Sequence, residues 1–171
     1  MRRSFPNALL MRNLMLLFCF LVLQNLHAQH IPSIKAAQLT EWKNAENDTL
    51  YVINFWASWC APCVAEIPSF LALHQKYAPK KVKVILVDCD FNRDLETKVK
   101  PFIRQKNIED LVVHMAEKDP NTWVDLVSTE WSGALPGTLL VCKSKGIHQF
   151  FEKKFEDDEL ELAVQAVWKN K

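Results

Sequence analysis

The sequence predicts an α/β fold in which a mixed β-sheet is covered by helices on both faces. Three observations carry this. Leu50–Trp56 and Val82–Val87 are nearly continuous apolar runs of strand length, the pattern of strands buried on both faces. Segments with apolar residues at helical spacing alternate with these runs. Near the end, Thr138–Cys142 and Ile147–Phe151 flank Lys143-Ser144-Lys145-Gly146, which reads as a hairpin turn closing on glycine.

Taken in order, Ile31–Ala36 reads as an extended lead-in and Gln38–Ala45 as a short helix. Asn44–Asp48 is a polar turn before the first buried strand. Cys60–Tyr77 carries Val64, Ile67, Phe70, Leu71 and Tyr77 at helical spacing, with Pro68 expected to kink the helix by removing one hydrogen bond. After the strand Val82–Val87, Asp94 is placed to cap a helix bearing Leu95, Val99, Phe102 and Ile103, although Pro101 falls inside it. Leu111–Met115 is a short strand, and Asp119-Pro120 opens a small helix through Val127. Asp157 is placed to cap the last helix. Leu160, Ala163, Val164, Val167 and Trp168 form its apolar stripe, with Lys169 and Lys171 favourably at its C-terminal end.

Composition limits the function classes. With 171 residues and no long linker, the chain after its leader makes one domain, 29–171. A net charge of +1 gives no global field, so no nucleic-acid partner is expected, and the protein is read as a monomer. Three glycines are too few for a Gly-rich phosphate loop. Residues 1–28 read as a signal peptide. Arg2, Arg3 and Arg12 supply positive charge, Leu14–Leu23 is an apolar run, and Leu26-His27-Ala28 ends on a small residue. Leu26 is larger than the cleavage-site pattern prefers, so an uncleaved membrane anchor stays open beside cleavage before Gln29. Cys19 is an ordinary residue of the apolar run. The expected location is the periplasm or cell envelope, where disulfides form and persist.

The chemistry lies in Trp59-Cys60-Ala61-Pro62-Cys63, at the junction of a buried strand and a helix. Only a thiolate attacks disulfides, and a free cysteine titrates near pH 8.5. Unpaired N–H groups and the macrodipole at a helix N-terminus favour the anion. Cys60 at that mouth is therefore the attacking thiolate. Cys63, one turn in and more shielded, resolves the mixed disulfide. Pro62 suits the first turn, where it needs no N–H partner. A zinc site needs further clustered ligands. Cys19, Cys89 and Cys142 are isolated, and His27, His30, His74, His114 and His148 are scattered. A purely structural bridge closing so short a loop stabilises little. Cys89 and Cys142 read as small buried apolar residues, too far apart along their strands to bridge, with Cys89 the better secondary redox partner.

The run Asn54-Phe55-Trp56-Ala57-Ser58-Trp59-Cys60-Ala61-Pro62-Cys63, with Glu66-Ile67-Pro68 and Gly133-Ala134-Leu135-Pro136-Gly137-Thr138, resembles exported thioredoxin-like proteins of the TlpA/ResA type. The resemblance spans roughly Leu50–Lys171 in element order and is specific at these motifs. It implies a thioredoxin fold and a cis peptide bond at Pro136, which would expose the Leu135 backbone as a pairing edge for substrate beside Cys60. It implies that Glu66 handles the proton of Cys63, in place of the buried aspartate that cytosolic thioredoxins carry where this chain has Asn54. Trp59 is expected to shape the contact surface with Ala61 and Pro62, and Trp56 to be core. The implied activity is thiol–disulfide exchange on exported cysteine-containing proteins, for example in cytochrome c maturation, with re-reduction by a membrane thiol donor and no cofactor or metal. The same dithiol run as an oxidase or isomerase, or a non-catalytic client-binding chaperone, remains open at this point. A lone-cysteine peroxidase fits less well.

Overall fold

The strand residues β2, Leu50–Trp56, and β3, Val82–Asp88, divide by parity. Leu50, Val52, Trp56, Val82, Val84 and Leu86 enter one apolar cluster, and Tyr51, Ile53, Phe55, Ile85 and Val87 enter another. Successive strand side chains point to opposite faces, so one sheet supports two cores. The computed structural model describes residues 11–13, which are helical, and 31–117 and 119–168. The chain divides after His30 into two units, and the second holds the sheet. Apart from residues 11–13, the leader with its cleavage site and Cys19 lies outside the described residues, as do Lys169 and Lys171, and no described helix is long and apolar enough to cross a membrane.

The remaining elements are β1 (Ser33–Ile34), α1 (Ala36–Asn44), α2 (Ala61–Tyr77), α3 (Lys100–Lys106) and β4 (Val112–Met115). They are followed by α4 (Val124–Val127), β5 (Gly137–Cys142), β6 (Ile147–Phe151) and α5 (Glu159–Val167). The six strands order as β1-β4-β3-β2-β5-β6. The strands from β1 to β2 pair in parallel, whereas β5 is antiparallel to both β2 and β6. Helices α2, α3 and α5 pack on the face of Val52 and Leu86. Helices α1 and α4 pack on the other face, with Trp123, Trp131 and Phe55. The expected mixed sheet with helices on both faces is therefore the observed architecture.

Several local expectations change. The lead-in pairs with β4 as a two-residue strand, because Ile34 reaches a free edge beside Met115. Helix α2 runs through Pro68, as its apolar spacing predicts. Asp94 makes no capping bond; its carboxylate pairs with Lys98 at 2.9 Å, and the chain passes through a π-helical turn at Leu95–Val99. Pro101 then falls in the first turn of α3, where its missing N–H costs nothing. The residue preceding the last helix is Asp158, and Asp157 takes a left-handed φ of 40° in the approach to it.

Candidate active site

Strand β2 ends at Trp56, and the chain turns through Ala57-Ser58-Trp59 before α2. The turn closes with a 3.0 Å bond from the Cys60 N–H to the Ala57 carbonyl. Cys60 is the N-cap of α2, in extended geometry, and its sulfur accepts from the Cys63 N–H at 3.3 Å. Cys60 and Cys63 are joined by a disulfide with a Cα separation of 5.3 Å. Cys63 is fully buried and Cys60 nearly so, which matches the expected order of shielding. Ala61 and Pro62 are exposed, and Trp59 stands 64% exposed beside the pair. Trp56 is core.

Glu66 lies one turn beyond Cys63 on α2 and is buried. Its Oε1 accepts from Asn54 Nδ2 at 2.9 Å and its Oε2 accepts from the Phe155 N–H at 2.9 Å. Burial raises its pKa above the usual carboxylate range, and the bonds from Phe155 and Asn54 only partly counter this. Asn54 pairs directly with Thr138 across β2 and β5, so both side chains emerge on one face, and Asn54 Nδ2 also donates to the Thr138 hydroxyl at 3.0 Å. The Asn54 Oδ1 atom is buried without a partner.

The Leu135–Pro136 peptide is cis, with Pro136 buried at the start of β5 and Leu135 half-buried. The preceding loop is held by Trp131, whose indole N–H donates to the Ala134 carbonyl at 2.8 Å. Glu152 on the other side accepts from the Ser132 and Ala134 N–H groups at 3.1 and 3.2 Å. Gly137 leaves room for Trp131 to cross the strand, since a Cβ there would press on Trp131 Cε2 at 3.1 Å and Phe150 Cζ at 3.0 Å.

A cavity of about 940 Å³ opens beside the dithiol. Its walls include Trp59, Phe91, Trp123, Trp131 and Leu135, and Phe91 at the rim is 63% exposed. Cys89 is half-buried on the same wall, with its thiol directed to the Val87 carbonyl at 3.6 Å. Burial, with the Asp88 and Asp90 charges nearby, pushes that thiol well above its ordinary pKa, the reverse of what a reactive cysteine needs. Cys142 is buried, and neither of these two cysteines forms a disulfide.

Sequence reasoning missed a second buried polar group. Asp90 accepts from the Ser58 N–H at 2.6 Å and from the Ser58 hydroxyl at 2.8 Å. The Asp90 N–H donates to Asp88 Oδ1 at 3.3 Å, and Asp88 Oδ2 meets His114 Nδ1 at 2.7 Å. Burial raises the Asp88 pKa to about 6 despite the His114 bond. The available signal was one polar residue closing or interrupting each of two apolar strands, Asp88 after Val82–Val87 and His114 within Val112–Met115.

Solved structures of similar shape include the thioredoxin-related protein of Neisseria meningitidis serogroup B. It has a TM-score of 0.60 at 18% identity, over 72% of this chain and 87% of that one. The thiol:disulfide interchange protein of Chlorobium tepidum TLS, a thioredoxin family protein, gives 0.57 at 18% identity over 77% and 83%. The fold is therefore the thioredoxin fold. Curated relatives include the thiol-disulfide oxidoreductase ResA of Bacillus cereus, 30% identical over 67% of this chain and 61% of the relative. ResA of Oceanobacillus iheyensis is 32% identical over 64% and 53%. The chain thus spans just over half the length of these two relatives. A model of the AhpC/TSA family matches residues 27–150, a span that takes in the dithiol, Glu66, Asp88 and the cis-proline loop, and the chain belongs to that family.

Proposed function

We propose that the protein is a thiol–disulfide oxidoreductase of the cell envelope that reduces disulfides in exported proteins. The observation that carries this reading is the Cys60–Cys63 bond at the N-terminus of α2, with Cys63 buried behind Cys60. In the reduced protein, the Cys60 thiolate attacks one sulfur of a client disulfide. A Cys60–client bond forms and the other client sulfur leaves as a thiolate. Cys63 then loses its proton, directly or through water, to Glu66, and attacks the Cys60 sulfur. The client departs with two electrons gained, and the Cys60–Cys63 disulfide re-forms. A membrane thiol donor returns the pair to the dithiol. The chemistry needs no metal or cofactor.

Client binding uses groups around the sulfur. The Leu135 backbone beside Pro136 offers a short pairing edge. Trp59, Ala61 and Pro62 form the exposed rim, and the adjoining cavity accommodates client side chains. Apocytochromes c suit this reading as clients. Residues 1–28 act as the export signal or anchor, and 29–171 as the working domain, a monomer.

Cys60→Ser tests the mechanism. It is expected to abolish reduction of a protein disulfide by the dithiothreitol-reduced enzyme, and wild-type activity in that variant would sink the reading. Cys63→Ser, expressed in the source organism, should accumulate clients bound covalently to Cys60. Haem-attachment Cys-x-x-Cys-His proteins among them support cytochrome c maturation, whereas a broad secreted set points to general disulfide repair. Direction is read from the equilibrium with glutathione, because a pair much more oxidising than thioredoxin runs the same steps in reverse.

A further inference from the structure

The geometry points to His114 and Asp88 as positioning residues for the dithiol, acting through Asp90 on the turn that delivers Cys60. The inference rests on the reading of Cys60 as the attacking thiolate. Asp88, Asp90 and His114 are all buried, and none takes part in the cysteine chemistry.

The arrangement is a loop closed by one imidazole. His114 sits opposite Asp88 in the parallel pairing of β3 and β4, and its own N–H donates to the Pro32 carbonyl at 2.8 Å, which seats it in the sheet. Nδ1 faces Asp88 Oδ2 and Nε2 faces Asn92 Oδ1, both at 2.7 Å. One ring therefore spans residues 88 and 92, and Asp90 lies at the middle of the loop it closes. Asp88 Oδ1 holds the Asp90 N–H, so the loop is braced from within. Asp90 then presents its carboxylate to Ser58, taking both the backbone N–H and the hydroxyl. A parallel link, the Cys89 N–H to the Trp56 carbonyl at 2.8 Å, ties the same loop to the end of β2.

Ser58 stands inside the turn closed by Cys60 and Ala57. Its orientation therefore sets how the Cys60 sulfur meets the N-terminal N–H groups of α2. That contact stabilises the thiolate and falls off within one turn, so a loosened turn weakens it. A buried ionisable group costs desolvation, and apolar residues of similar size often serve stability as well or better. Retaining three such groups is therefore better explained by geometry they impose than by stability they add.

The test is thiolate titration of the reduced protein, followed by ultraviolet absorbance, with the rate of attack on a small aromatic disulfide at pH 7. Wild-type Cys60 is expected below the ordinary value of about 8.5. Asp90→Ala, and the paired replacement Asp88→Leu with His114→Phe, should raise it by roughly half to one pH unit. The rate should fall by roughly two- to threefold, because the more basic thiolate is less populated but more nucleophilic. Asp90→Asn keeps an oxygen for the Ser58 N–H and should recover most of the loss. Ser58→Ala, which removes the hydroxyl bond to Asp90 and leaves the backbone one, should shift the titration slightly in the same direction. It decides the matter if the paired variant fails to fold. The sign separates positioning from simple charge: deleting a nearby negative charge alone would lower the Cys60 titration. A downward or absent shift in Asp90→Ala and Ser58→Ala overturns the inference. A wild-type dithiol with no depressed titration overturns instead the reading of Cys60 on which it rests.

Discussion

Two buried acidic groups border the dithiol, and they are solvated in opposite ways. Glu66, behind Cys63, is met among the described residues by two neutral donors, Asn54 Nδ2 and the Phe155 N–H. Asp88 and Asp90, ahead of Cys60, are met by a histidine, a peptide N–H and Ser58. Among the described residues Glu66 makes two hydrogen bonds and no ion pair, and burial outweighs those bonds and the Lys154 charge, tilting it toward the protonated form. It is suited to take and return a proton. The Asp88–Asp90 group has its bonds distributed over several elements, and it is suited to hold a shape. On the proposed readings, the same side-chain chemistry serves a reactive role on one side of the cysteines and a geometric role on the other.

The largest expected effect comes from breaking the reactive side. Glu66→Gln keeps an acceptor for one donor but cannot take a proton, so multiple-turnover reduction should fall by about 10²-fold. Single-turnover formation of the mixed disulfide should stay near wild type. An equal loss in both phases would mean that Glu66 does not act at Cys63. Asn54→Ala leaves Glu66 Oε1 and the Thr138 hydroxyl without their donor in a buried site. It is expected to cost about 1–3 kcal/mol in urea unfolding, and to push Glu66 further toward protonation.

A smaller effect separates the other group. The Asp88 pKa is raised from 3.8 to about 6 on folding. The folded state therefore binds more protons between those values, and the Asp88 contribution to stability is fully present below about 4 and is lost as pH rises through about 6. Asp88→Asn should flatten that part of the stability–pH curve in denaturant titrations. An unchanged curve would show that Asp88 does not titrate in this window.

Much of this was legible before folding. The strands β2 and β3 follow from continuous apolar runs, and α2 from its spacing. Cys60 and Cys63 follow from separation along the chain, because i and i+3 on one helical turn are neighbours whatever surrounds them. Helix α3 was misjudged at its start, since a π-helical turn at Leu95–Val99 has no apolar period that distinguishes it from α-helix. The cap of α5 was off by one residue because Asp157 and Asp158 are equally good candidates by type.

The partners of the buried acids had no local signature. Glu66 is 89 residues from Phe155, Asn54 is 84 from Thr138, and Asp88 is 26 from His114. The sequence by itself determined the dithiol, its place between strand and helix, and the class of fold, because these depend on periodicity and short covalent spacing. Only the tertiary structure decided which carboxylate meets neutral donors and which meets a histidine. That assignment depends on strand register and on which helix covers each face, and a residue's burial and partners exist only once distant segments share one core.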